Sequence, residues 1–495
     1  MRLEIVLAAL LVPAAGADDE DPLARARGER RIGNLEATVP PQCYTRTDGE
    51  ANPCWACHTA GEGANPRDDS GLQSEYSFSE TARINRWTNL DRDFAGSLPT
   101  LSDEEVLDWI RQDNEVELRR RLAGRAPELP LWRPDLDFAL GFDEDGFARD
   151  GSGWRAIRYK PFPGAFWPTN GSVDDVAIRL PERFRAEGGR PSRAVYERNL
   201  ALLEAAVATP PGREPDLPER YAGDAGDVPV ERFAYPVGTE YLHSVRYLDP
   251  DRADLRSTRV KELRWSQKVA RLDPWARIRV AELEAAEKDE GALPRFPGSP
   301  FVGLRSGPGW QLQGWIEDAR GRLRLQTREE HLACMGCHGS LGVTVDGTFT
   351  LPRKVPGPAG WRVQDLTGMQ DAPQAGHARP EVLTWFERAR GGDEFRSNEE
   401  IRVRFFDGDR VREAEVRRAA PGGDRDLAWL LHPSRRRALD LDKAHLLLVR
   451  EERYVRGRVA FLAPPANVHR RIQTTSTGLA ETGRVHRDGR LWLDW

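Results

Sequence analysis

Cys54-Trp55-Ala56-Cys57-His58 and Cys334-Met335-Gly336-Cys337-His338 each set two thiols three positions apart, with an imidazole directly after the second. Four of the five cysteines in the chain lie in these two stretches. On a helical turn, residues three apart share a face. Two thiols so placed reach the vinyl groups on one edge of a porphyrin and form thioethers. The following His projects towards the iron from the same face and becomes an axial ligand. One such match in a chain of this cysteine and histidine content is expected by chance about 10⁻³ times. Two matches predict two covalently bound haem c groups, held by Cys54, Cys57, Cys334 and Cys337, with His58 and His338 on iron.

Other uses of C-x-x-C fit less well. Zinc ribbons place their two halves roughly 15–20 residues apart, whereas these motifs are 280 residues apart. A thioredoxin-like dithiol needs a βαβ setting, and neither motif has one in the sequence pattern.

A second axial ligand decides what a haem iron does, because an open position binds small molecules and a filled one does not. Residues 59–242 contain no His and no Met, and the first Lys is Lys160. The first haem therefore has three choices: His243 from a distant segment, a thiolate from Cys43 eleven residues before Cys54, or an open site. Tyr44 is a weaker oxygen donor. Cys43 also reads as a small buried thiol, and His243 as a structural His within Tyr241–Leu248. For the second haem, Met369 follows His338 by 31 residues and His377 follows it by 39, and either suits a returning loop. His331 reads as facing solvent or a propionate, and His445 as structural.

The elements that must position these groups divide the chain as follows. Residues 1–17 read as a signal peptide, with an apolar run from Ile5 to Val12, the Ala15-Gly16-Ala17 cleavage pattern and an acidic flank. No Cys follows the apolar run at a lipoprotein position. No later run reaches the roughly 18 apolar residues needed to span a membrane. The expectation is an exported, soluble, periplasmic protein. The net charge of −6 gives no basic surface for nucleic acid. Nearly all the cations are Arg, whose forks suit carboxylates and haem propionates.

Residues 18–125 form a first haem region, in which Ser102 and Glu105 open a helix with the stripe Val106, Leu107 and Ile110. Residues 126–300 read as an α+β insertion. Its strands are Arg155–Tyr159, Val176–Leu180, Tyr241–Leu248 and Val260–Ala270, its helices are 192–207 and 274–290, and a loop runs from Pro210 to Pro229. Residues 301–380 form the second haem region, with a hairpin of Trp310–Ile316 and Leu323–Thr327. Residues 381–495 read as mixed, with hairpins at Ile401–Phe406/Val411–Val416 and at His486–Leu493. The fold class is α+β: two mainly helical or irregular haem regions, a mixed insertion and a mixed C-terminal segment.

The two motifs resemble those of dihaem c-type cytochromes. That resemblance implies cytochrome c-like haem regions and single-electron transfer between periplasmic donor and acceptor proteins. The second implied class is a dihaem oxidoreductase, peroxidase-like or acting on a sulfur compound, whose reactive first haem is fed by the second. The chain departs from dihaem peroxidases in the distance between its motifs and in lacking a His downstream of His58 in the first region. It shares only a candidate Cys ligand with dihaem thiosulfate dehydrogenases.

Overall fold

Between residues 240 and 268, side chains alternate between two buried faces, and the chain answers with two long paired strands. The computed structural model describes residues 21–46, 57, 79–123, 130–163, 165, 167–338, 344–390, 398–472 and 492–495. Eight strands form one antiparallel sheet. They are β1 Arg155–Ile157, β2 Val173–Arg179, β3 Glu240–Leu248, β4 Arg256–Lys268, β5 Gly298–Ser299, β6 Gly303–Arg305, β7 Trp310–Glu317 and β8 Leu323–Leu325. The order is β1-β2-β3-β4-β7-β6-β5, with β8 also on β7. The sheet thus crosses residue 300, joining strands of the segment 126–300 to strands of 301–380.

Successive side chains point to opposite faces of a strand, and here each face meets its own core. Val176, Ile178, Tyr241 and Leu312 pack with Tyr196, Leu200 and Leu203 of helix Arg193–Ala208. Ala177, Leu242, Leu263 and Trp315 pack on the other face with Trp154, Leu118 and Leu122. A third core gathers Val382, Leu383, Trp385 and Phe386 of helix Glu381–Ala389 with Tyr44, Trp87 and Met369.

Most strands and helices read from the sequence occur within a few residues of their expected bounds. Helix Asp103–Ile110 starts at Ser102, whose hydroxyl accepts the Glu105 N–H at 3.0 Å. Its Val106 and Ile110 pack on Tyr247 and on Leu439 and Leu446 of helix Arg435–Glu451. β7 and β8 pair as expected. The hairpin at 401–416 needs correction. Glu399–Phe405 is a helix capped by Asn398, and only Phe406–Asp407 and Arg410–Val411 pair. Ile401 and Phe405, four apart, are both buried on one helical face, and that spacing outweighs their strand propensity. In the other expected hairpin, residues 486–491 lie outside the described residues, as do 1–17. Among the described residues, no helix is long and apolar enough to cross a membrane.

A fully buried ion cluster joins the sheet side to the third core. Lys160 Nζ lies 2.9 Å from Asp371 and 2.7 Å from Glu381, and Arg353 reaches Glu381 at 2.6 Å. Burial alone would raise the Glu381 carboxyl, but Arg353 and Lys160 outweigh it and hold the group well below the carboxylate range. Breaking a buried pair strands the remaining charge, at about 3–5 kcal/mol. Glu381→Gln should therefore lose roughly that amount in urea unfolding at pH 7. The depressed native carboxyl stabilises above the unfolded value of about 4.3, and that stability fades as pH falls. The wild type should lose its advantage over Glu381→Gln below about pH 4, and an unchanged gap there would refute the assignment.

Candidate functional site

The second motif ends a helix whose start is fixed twice over. In helix Arg328–Met335, Thr327 Oγ1 accepts the Glu330 N–H at 3.3 Å and Glu330 Oε2 accepts the Thr327 N–H at 2.8 Å. This is a complete capping box. The same carboxylate grips the Arg324 guanidinium on β8 at 2.9 and 3.0 Å. One turn on, His331 Nδ1 donates to the Thr327 carbonyl at 2.7 Å, and its Nε2 accepts the Gly314 N–H of β7 at 3.0 Å. These partners set the tautomer. Burial pushes the ring down to about 4, so it stays neutral. His331 is thus a buried structural anchor, which corrects its reading as a residue facing solvent or a propionate.

The motif itself closes the helix. The Cys334 carbonyl accepts both the Cys337 N–H at 3.3 Å and the His338 N–H at 3.1 Å. Cys334, Cys337 and His338 line a single cleft of about 170 Å³, partly open to solvent. Gly336 is required by close approach. A Cβ there would stand 2.2 Å from the Thr38 carbonyl oxygen and 2.9 Å from Pro40.

Strand register supplies the rest of the cleft. His243 on β3 lies opposite Val176 of β2 and Arg264 of β4, and these three residues line the cleft with Tyr241 and Leu312. His243 Nε2 is 2.7 Å from Asp174 Oδ2, an oxygen that also accepts the Tyr159 hydroxyl. The Trp167 ring meets the imidazole edge-on at 6.2 Å. Arg264 is held by Glu262 at 3.0 Å, and Glu262 also takes Arg458 at 2.7 Å. Burial raises the Glu262 carboxyl, but the two guanidiniums prevail and bring it down to about 2. His338 is pushed down to about 4, by burial first and then by His243 and Arg264. Its ring is hydrogen-bonded to the Gly347 backbone.

The site therefore offers two thiols and two imidazoles to one space beside a guanidinium. Thiol–disulfide chemistry fits it poorly. Reactive thiolates form at helix N-termini, and this pair sits at the carbonyl end, which disfavours a negative sulfur. A thioether-linked tetrapyrrole fits the donor set better. It asks for both thiols and His338 on one turn and uses an imidazole whose second nitrogen has a hydrogen-bond partner.

The remaining candidates are distributed differently from their spacing in the chain. His243, considered for the first motif, belongs to the cleft of the second. Met369, considered for the second, is buried in the third core, against which Cys43 and Cys57 of the first motif's surroundings also pack. Cys54 and His58 lie outside the described residues. His377 sits in a half-buried turn, its N–H on the Gln374 carbonyl at 2.9 Å, and is not among the cleft's lining residues. Tyr44 is buried and donates its hydroxyl to the Ala82 carbonyl at 2.5 Å, a structural role. His445 is buried against the Tyr247 ring. Among the described residues, no group of three or more His, Cys, Asp or Glu is placed to hold a metal ion. Asp174, Tyr159 and Arg264 were missed from the sequence. Only the strand alternation that puts 241 and 243 beside 264 and 266 signals part of this set.

Comparison with known proteins then decides the family. A lipoprotein family model matches residues 29–415. The chain is also 33% identical over 508 aligned residues to an uncharacterized lipoprotein of Aquifex aeolicus (strain VF5), covering 86% of each chain. The chain belongs to this lipoprotein family. No solved structure matches it.

Membership overturns the resemblance to dihaem c-type cytochromes. With it fall both functional readings drawn from that resemblance, the electron carrier between periplasmic partners and the dihaem oxidoreductase. Two pentapeptides specify an attachment chemistry, whereas the family pattern runs through the whole sheet and part of the third core. Lipoproteins are exported, and this agrees with the export expected from the N-terminal sequence.

The close approach at Gly336 gives a direct check. Gly336→Ala should push the 38–40 segment off the motif and destabilise by about 1–3 kcal/mol, as overpacking does. Thermal unfolding measures this, and an unaltered midpoint would show that the segment does not press on the motif.

Proposed function

We propose that this lipoprotein-family member is a periplasmic haem-binding protein, with one haem held covalently at Cys334 and Cys337 and a second at Cys54 and Cys57. The supporting observation is the convergence of Cys334, Cys337, His338 and His243 on one cleft. In this reading His338 would hold the iron, and His243, steadied by Asp174, would be a further candidate donor. Arg264 stands ready for a propionate carboxylate. Bound in this way, haem supplies a redox-active iron whose behaviour is set by its axial ligands. The protein's own residues tether, orient and desolvate it. Val176, Tyr241 and Leu312 would provide the less polar surface for a macrocycle. Cys54, Cys57 and His58 carry the same pattern in sequence.

The test is expression of the full chain as an exported protein in a host that attaches haem c. The expected result is a Soret band and an intact mass raised by one macrocycle per motif, both surviving denaturation. Replacing Cys334 and Cys337 together by Ser should remove one macrocycle. His243→Ala should keep both but shift the visible spectrum. A folded, colourless protein of unmodified mass would end the proposal.

A further inference from the structure

Helix Pro274–Asp289 stands at the surface with one face uncovered. None of its described side chains is buried. Trp275 is 73% exposed, Leu283 66% and Ile278 42%. Asp273 fixes the start, its Oδ1 accepting the Ala276 N–H at 2.7 Å. A helix of this length owes most of its stability to the packing of one amphipathic face. Here the large apolar groups lie in solvent instead, and gathered on one face they mark a contact surface.

The face carries a pattern. Trp275, Arg279, Glu282 and Ala286 follow at spacings of four, three and four, the seam of a paired helix. Ile278 and Leu283 flank that seam on either side. Charge is divided along the helix. Arg277 and Arg279 occupy the N-terminal half, and Glu282, Glu284 and Glu287 the C-terminal half. The first turn holds Arg277 and no acidic residue, and the last holds Glu287. This is the reverse of what the dipole of a single helix favours. Neither Arg279 nor Glu282 forms an ion pair with another described residue.

A second helix lying antiparallel resolves the conflict. Its acidic half meets the basic half of the first, and the reverse holds at the other end. With a two-fold axis between residues 280 and 281, Arg279 stands opposite Glu282 of the second copy, and Trp275 opposite its Ala286. The largest side chain on the seam then meets the smallest, as interdigitating helices require. A two-fold contact of this kind uses the same patch on both chains and closes on itself.

We propose that Trp275, Ile278, Arg279, Glu282, Leu283 and Ala286 form a self-complementary face on which a second copy of this chain docks, its helix antiparallel to the first. None of these residues lines the motif cleft, so the proposal is independent of the haem reading.

Sedimentation equilibrium of the full chain between about 1 and 200 µM tests it. A reversible monomer–dimer equilibrium within that range is expected. Arg279→Glu sets like charges opposite one another at two places in the pair and should raise the dissociation constant by about tenfold or more. Glu282→Arg should do the same. The double variant Arg279→Glu/Glu282→Arg restores opposite charges across the seam and should dimerise like the wild type. Trp275→Ala should weaken the dimer as well. A chain that stays monomeric throughout, a dimer indifferent to Arg279→Glu, or a double variant no tighter than the single ones would overturn the proposal. So would a monomer that binds phosphatidylcholine vesicles through Trp275, because the face would then belong to a membrane.

Discussion

Helix Arg328–Met335 is held to the sheet at two points, and the motif cleft exists only because of them. Glu330 completes the capping box and at the same time pairs bidentately with Arg324 on β8. His331 accepts the backbone N–H of Gly314 on β7. A side chain longer than Gly at 314 would stand 2.7 Å from Gln326, so the strand is kept bare where the imidazole docks. These contacts fix the helix over the face that carries His243 and Arg264. The two cysteines and His338 follow by helical geometry, since they occupy the turn that closes it. The neutral, buried form of His331 is part of this device, because a protonated ring would lose its acceptor.

The same sheet explains why distance along the chain misled the pairing of ligands with motifs. His243 is 95 residues before His338, yet β3 lies next to β4 and β4 next to β7, beneath the helix that carries the motif. Met369 is only 31 residues after His338, yet it enters the third core beside Trp87 and Phe386, where Cys43 and Cys57 also pack. Antiparallel pairing brings remote segments together, and loop length says little about which ones.

Arginine content acquires a structural meaning here. Arg246, Arg259, Arg324 and Arg353 are each less than 8% exposed, and each has a carboxylate within reach. Burial of a guanidinium is tolerable where its fork is matched. Arg324 and Arg353 are matched closely and act as ties between elements. Arg246 is matched loosely and faces a cleft.

Much was legible without coordinates. The patterns of Tyr241–Leu248 and Val260–Ala270 announced two strands, Ser102 and Glu105 announced a helix start, and residues 274–290 announced another helix, because these are local signals with periods of 2 or 3.6 residues. The sequence likewise determined the donor chemistry of the two pentapeptides, since thiol and imidazole spacing is a property of one turn. Local pattern failed at 401–416, where the Asn398 cap and the burial of Ile401 and Phe405 on one face selected a helix. Tertiary structure alone decided which imidazole shares the cleft with Cys334, that Asp174 and Tyr159 steady it, and that His331 is an internal strut. The family, too, was beyond the reach of ten residues. The physical reason is common to all of these: strand order and register place side chains in space, and they are fixed by the packing of the whole sheet rather than by any segment read alone.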